Sequence, residues 1–300
     1  MRCRAPIYYQ KFKCIADRCR HSCCVGWEID VDEESRRIYR SLTGEIGNTV
    51  RAALVEDAEG AHFALQPNGR CALLDDRGLC RLISAVGEEY LCDICREHPR
   101  FYNEVGDCLE CGIGACCEEA ARLMLEEPDY RTLVCVWEDN CEENPITVSD
   151  FDAKTQRERL YDLLSNGTRA YADRLKAITA MYDISEAALS DETVLERLEY
   201  LYDEHRSLFA GFSAAPMAEG VDAAYCERFL AYLIYRHASG AHNGQEFRLA
   251  VGSALLLERF FRTLWLSNGL TAAESARIVS EEMEYSEENI AVLRHALLCR

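Results

Sequence analysis

The distribution of cysteine constrains this chain more than any other feature. Seventeen cysteines occur in 300 residues, and only Cys226 and Cys299 follow residue 150. Those two fit ordinary packing, because free cysteine behaves as a small buried apolar residue. Fifteen in one half exceed what packing requires. The N-terminus, Met1-Arg2-Cys3-Arg4-Ala5-Pro6, has no apolar signal core. No apolar run approaches the roughly 20 residues of a membrane span. The expected location is therefore the cytoplasm, with no membrane partner. Thiols there stay reduced, so the cysteines read as soft-metal ligands rather than a disulfide framework.

Composition narrows the class further. The chain is 49% hydrophobic and 28% charged, enough to bury a core. Its net charge of −19 repels phosphate backbones, which argues against a nucleic-acid partner and suits a lysine-rich protein partner.

The pattern along the chain predicts a mainly α fold: a cysteine-rich metal-binding module with short strands over 1–145, packed on an all-helical region over 146–300. Residues 1–30 have no sustained periodicity and read as a metal-wrapped loop. Asp30 or Asp32 can cap a helix, and Ile38, Tyr39, Leu42, Ile46, Val50 and Leu54 extend helical spacing to about residue 57. Pro67-Asn68-Gly69 and Asp75-Asp76-Arg77-Gly78 are turn signals with short strands beside them. A short helix fits Leu79 to Val86, a hairpin fits Phe101 to Glu110, and a helix over 118–126 ends before Pro128. Helices are expected from Ser149-Asp150 to Asn166-Gly167 and over 168–182, 191–209, 221–238, 244–267, 271–282 and 286–298.

Three chemistries compete for the cysteines. Cys92-Asp93-Ile94-Cys95 and Cys108-Leu109-Glu110-Cys111 are two CxxC pairs with the spacing of a zinc ribbon. An iron–sulfur cluster instead takes four cysteines scattered through a fold, which suits the wider set. Cys92 and Cys95 alone make a redox dithiol. Cys116-Cys117 stands at a predicted helix start.

Five blocks carry a family resemblance. They are Phe12-Lys13-Cys14-Ile15 with Cys19; Cys23-Cys24-Val25-Gly26-Trp27-Glu28-Ile29-Asp30; Gly69-Arg70-Cys71-Ala72-Leu73-Leu74 with Gly78-Leu79-Cys80; Cys95-Arg96-Glu97-His98-Pro99-Arg100; and Cys117-Glu118-Glu119-Ala120-Ala121-Arg122-Leu123. In order and spacing over the first 125 residues, the chain resembles the flagellin lysine-N-methylase family, within a wider group of cysteine-rich zinc- or iron-chelating proteins. Glu118 stands where the family usually has proline, and Cys92, Cys108, Cys111, Cys116, Cys135 and Cys141 are extra. The resemblance implies Cys14, Cys19, Cys23, Cys24, Cys71, Cys80, Cys95 and Cys117 as metal ligands, most simply of a 4Fe-4S cluster, with zinc as the alternative. It implies a protein-lysine N-methyltransferase that moves methyl from S-adenosylmethionine to flagellin lysines. A non-catalytic metal-binding module that mediates protein interaction is the alternative function.

That reaction needs a lysine amine stripped of its proton and held in line with the sulfonium methyl. No catalytic or cofactor-binding residue is legible for it. Gly112-Ile113-Gly114 reads as a turn leading to Cys117 rather than a methyl-donor loop. Trp27 is expected as a core anchor beside the metal loop. Arg100 is expected near a cluster sulfur or an acidic neighbour, and His21 and His98 can replace a ligand. The apolar positions at 195–209 and 254–266 read as core stripes.

Overall fold

The computed structural model describes residues 2–58, 60–106, 108–138 and 151–298. Cys141, Cys299, the boundary at Asn144-Pro145 and the helix start at Ser149-Asp150 lie outside the described residues. The fold is mainly α with a small sheet. It divides into a smaller unit, residues 13–99, and a larger one, residues 1–12 with 100–300. This differs from the boundary expected at 145. The cause is the sheet, which recruits the N-terminus and the later cysteine-bearing strands into the helical unit.

The strands are β1 (Arg2–Pro6), β2 (Ile29–Asp30), β3 (Leu54–Glu56), β4 (Ala61–Phe63), β5 (Arg100–Val105), β6 (Cys108–Ile113) and β7 (Leu133–Glu138). The helices are α1 (Glu33–Ser41), α2 (Gly44–Ala53), α3 (Arg81–Val86), α4 (Asp93–Glu97), α5 (Glu118–Glu126), α6 (Ala153–Leu164), α7 (Tyr171–Met181), α8 (Glu186–Leu189), α9 (Gly220–Ala238), α10 (Gly244–Arg262), α11 (Ala272–Val279) and α12 (Glu287–Ala296).

In the larger unit the strand order is β5-β6-β1-β7. The expected hairpin is β5 with β6, running longer than its turn signal suggested, with Arg100 opposite Ile113. β1 lies parallel to β6 and antiparallel to β7. Neither β1 nor β7 was expected as a strand. The core is built on α9 and α10, whose Phe229, Leu233, Val251, Leu257 and Phe261 are buried. The stripe at 254–266 is therefore core, as expected. α10 runs on as a π-helical turn over Thr263–Ser267, and α11 does the same over Ser280–Glu284.

The helix expected over 191–209 is absent. Two 3-10 turns, Glu192–Arg197 and Asp203–Phe209, flank extended chain instead. Side chains from elsewhere have taken the backbone groups a helix would use internally. Asn289 Oδ1 accepts from the Glu199 N–H at 2.9 Å, and the buried Glu282 carboxylate accepts from the Leu201 and Tyr202 N–H groups at 2.6 and 3.2 Å. Leu198 and Phe209 are buried there, but Leu201 is exposed.

In the smaller unit the three-stranded sheet runs β2-β4-β3. Asp32, one of the two expected caps, accepts from the Ser35 N–H at 2.8 Å and starts α1. The single helix expected to residue 57 is two, because the chain breaks at Leu42 and Thr43. Gly47 permits the break: a Cβ there would stand 2.2 Å from the Leu42 carbonyl oxygen. The core comprises Ile29, Val31, Tyr39, Val50, Phe63, Leu73, Leu74 and Leu82, with Cys71 and Cys92 among them.

Arg157 on α6 and Glu110 on β6 form an ion pair about 1% exposed on each side. Arg157→Met should lower the unfolding free energy by about 3–5 kcal/mol, since Glu110 is left buried without its cation. A urea titration measures this, and the double variant Arg157→Met/Glu110→Leu should recover most of the loss.

Candidate metal centre

Local turn chemistry assembles four thiols in the smaller unit. Asp75 Oδ1 accepts from the Arg77 and Leu79 N–H groups at 2.9 Å, closing the turn that carries the chain from Cys71 to Cys80. Leu74 and Cys80 bridge across it. The Cys71 N–H donates to the Cys24 carbonyl oxygen at 2.8 Å, bringing the cysteine loop alongside. Cys95 arrives on α4, whose N-terminal Asp93 N–H bonds Asp32 Oδ2 at 3.0 Å.

The result is a small cavity. Its lining is Cys24, Cys71, Cys80 and Cys95 among Ile29, Phe63, Leu73, Leu74, Leu82 and Leu91. All four cysteines are free. They come from three stretches of chain, the cysteine loop, the Cys71–Cys80 turn and α4, and the other lining side chains are apolar.

Protonation follows the surroundings. Burial pushes the Cys71 thiol up to about 11 and raises Cys80 in the same direction. Cys23 hydrogen-bonds the Cys24 sulfur and, against burial, brings it down to about 7. Cys92 and Cys95 share a proton: the hydrogen bond lowers Cys92 and holds Cys95 high, with burial adding to the rise.

Among the described residues, no three His, Cys, Asp or Glu side chains are gathered as the ligands of a metal ion.

The cavity thus gathers four of the eight cysteines that the resemblance implied. Cys14, Cys19 and Cys23 sit on the preceding loop outside the lining. The Cys14 sulfur accepts from the Ala16 N–H at 3.4 Å, and the Cys19 thiol donates to the His21 carbonyl at 2.7 Å. Cys117 belongs to the larger unit, where it stands at the N-cap position of α5, the expected helix start. Cys92, extra to the resemblance, is fully buried against Cys95. Its CxxC spacing to Cys95 was the sequence signal for that contact.

The zinc-ribbon arrangement does not form. Cys108 and Cys111 lie on a straight strand, where residues three apart point to opposite faces. Cys108 donates to the Val105 carbonyl, and Cys111 faces Cys3. Gly112 is in that strand rather than in a turn, because the Phe101 ring lies where its Cβ would be. Trp27 is no core anchor: it is 36% exposed, and its indole N–H bonds the Cys23 carbonyl at 2.9 Å. Arg100 faces aromatic rings, donating to the Tyr9 hydroxyl at 3.2 Å with its guanidinium 5.7 Å from the Phe12 ring centre. His98 lies 6.5 Å from the Trp27 ring, and neither His21 nor His98 lines the cavity.

No family model, curated protein or solved structure matches this chain.

In metal-free protein, Cys24 should be alkylated by iodoacetamide faster than Cys71 or Cys80 near neutral pH. A thiol near 7 is about half thiolate there, whereas one near 11 is almost wholly protonated. Peptide mass spectrometry after timed alkylation reads the order, and the Cys24 rate should level off above pH 8.

Proposed function

We propose that the smaller unit binds an iron–sulfur cluster through Cys24, Cys71, Cys80 and Cys95. The observation that carries this reading is the cavity itself, where four free cysteines from three stretches of chain line a space otherwise bounded by apolar side chains. Soft thiolates suit iron and sulfide, and an apolar lining limits water at the metal. Bound there, a cluster would tie the cysteine loop, the Cys71–Cys80 turn and α4 together. Anaerobically purified protein should be brown, absorb broadly near roughly 400 nm and contain iron and acid-labile sulfide. Cys71→Ser and Cys80→Ser should each lose the metal, while Cys14→Ser, Cys19→Ser and Cys108→Ser should keep it. A colourless protein with one zinc per chain would reverse the choice of metal.

The enzymatic part of the proposal rests on the family resemblance of the first 125 residues. In it the chain transfers methyl from S-adenosylmethionine to the ε-amino group of flagellin lysines. The reaction displaces a sulfonium leaving group, so the accepting lysine must be neutral and in line with the methyl carbon. The acidic net charge suits a lysine-bearing protein substrate. Incubation of metal-loaded protein with S-adenosylmethionine and flagellin from the same cell should add multiples of about 14 Da to flagellin lysines. A second reading, a cluster that only holds an interaction surface in shape, is favoured by the wholly apolar lining around the four thiols. Metal-loaded protein that leaves flagellin mass unchanged and binds no S-adenosylmethionine in calorimetry would select it.

A further inference from the structure

The larger unit holds a second cysteine arrangement that the proposed cluster does not use. Cys3 on β1 and Cys111 on β6 are both 0% exposed, and their sulfurs are 3.0 Å apart. That is about 1 Å more than a disulfide bond. The surrounding side chains are Ala5, Leu109, Val136 and Tyr9, whose hydroxyl reaches the Cys111 sulfur.

The two strands are already locked together. They pair in parallel, with Arg2 opposite Cys108, Cys3 opposite Leu109 and Arg4 opposite Glu110. The Tyr235 hydroxyl adds a clamp at the same place, reaching the carbonyl oxygens of Cys111 at 3.0 Å and Arg4 at 3.4 Å. Bond formation therefore asks for a small side-chain movement and no change of register. Among the described residues, Cys23 with Cys24 and Cys92 with Cys95 are also hydrogen-bonded thiol pairs. Cys23 and Cys24 are adjacent in sequence, and Cys95 lines the proposed cluster cavity.

Chain topology gives this pair a consequence. Cys3 precedes residues 13–99 and Cys111 follows them, so a bond between the two closes a covalent loop containing the whole smaller unit. Closing so long a loop removes much conformational freedom from the unfolded chain.

We propose that Cys3 and Cys111 form an oxidisable dithiol, converted to a disulfide by a small hydroperoxide and stabilising the fold when oxidised. In the first step a cysteine sulfur attacks a peroxide oxygen. The S–O bond forms, the O–O bond breaks, and the products are a sulfenic acid and water. In the second step the other sulfur displaces the sulfenic hydroxyl. The S–S bond forms, the S–O bond breaks, and the hydroxyl leaves as water with the thiol proton. Overall, two thiols and one hydrogen peroxide give one disulfide and two waters. Each sulfur is oxidised by one electron, and the peroxide oxygens are reduced. A small neutral oxidant suits sulfurs with no exposed surface.

The test uses the full chain as purified, treated with hydrogen peroxide, quenched, unfolded in an alkylating reagent and digested. The expected product is a linked Cys3–Cys111 peptide pair, lighter by about 2 Da than the two free peptides because two hydrogens are lost. Measured against Cys3→Ser given the same peroxide, so that any damage to the proposed cluster is common to both, the unfolding midpoint of the oxidised protein should be higher by several degrees, and dithiothreitol should remove the difference. Cys3→Ser should abolish the link, and Cys111→Ala repeats the test if Cys3→Ser fails to fold. Recovery of Cys3 and Cys111 as alkylated thiols, while exposed Cys14 and Cys135 are oxidised, would overturn the proposal. So would linkage of Cys111 to another cysteine, and a Cys3–Cys111 link that leaves the midpoint unmoved would remove the stabilising role.

Discussion

Arg157 and Glu110 pair almost out of reach of water, and the architecture of the larger unit turns on them. Arg157 Nη2 donates to Glu110 Oε1 at 2.8 Å, its Nη1 reaches Glu110 Oε2 and the Ser239 hydroxyl, and its guanidinium lies 5.1 Å from the Tyr235 ring centre. One side chain on α6 thus joins β6 to the C-terminal end of α9. Withdrawing two charges from water is expensive, so the pair persists through geometry: two parallel bonds to the carboxylate, with an aromatic face against the cation. Because β6 is held, β1 has a fixed neighbour, and Cys3 meets Cys111.

The same logic recurs at the π-helical turn after α11. That turn carries Glu282 and Glu284, both buried. Glu282 bonds His205 Nδ1 at 2.6 Å and two backbone N–H groups of the extended segment. Burial alone would raise Glu284, but Arg236 and His237 outweigh it and hold the carboxyl near 2. An extra residue in a helical turn re-aims side chains. Here it accompanies two carboxylates that serve partners outside their own helix.

The smaller unit gathers thiols where the larger buries charge. Its core is modest, and turns, caps and one carbonyl contact bring Cys24, Cys71, Cys80 and Cys95 to a common space. Burial there disfavours the thiolate, as Cys71 and Cys80 show. A metal cation bound there, as proposed, would reverse that preference and so couple its binding to proton release.

Much of this was legible in the sequence. Periodicity located α7, α9, α10 and α12 within a few residues, because each buries one or more faces at helical spacing. The turn at Asp75-Gly78 was readable because a short carboxylate accepting from the next N–H groups is local chemistry. The crowding of cysteine before residue 150, and the blocks carrying Cys24, Cys71, Cys80 and Cys95, were also properties of the sequence alone. What the tertiary structure decided were the long-range partnerships. β1 and β7 are strands because they pair with each other and β1 pairs with β6, and six-residue or shorter runs carry little periodicity of their own. The 191–209 stretch unwinds because Glu282 and Asn289, some 80 to 90 positions later, take its backbone groups. Which cysteines meet was likewise invisible. Spacing tells which thiols share a turn, but the Cys3–Cys111 contact and the four-thiol cavity join residues far apart in the chain, and only packing brings them together.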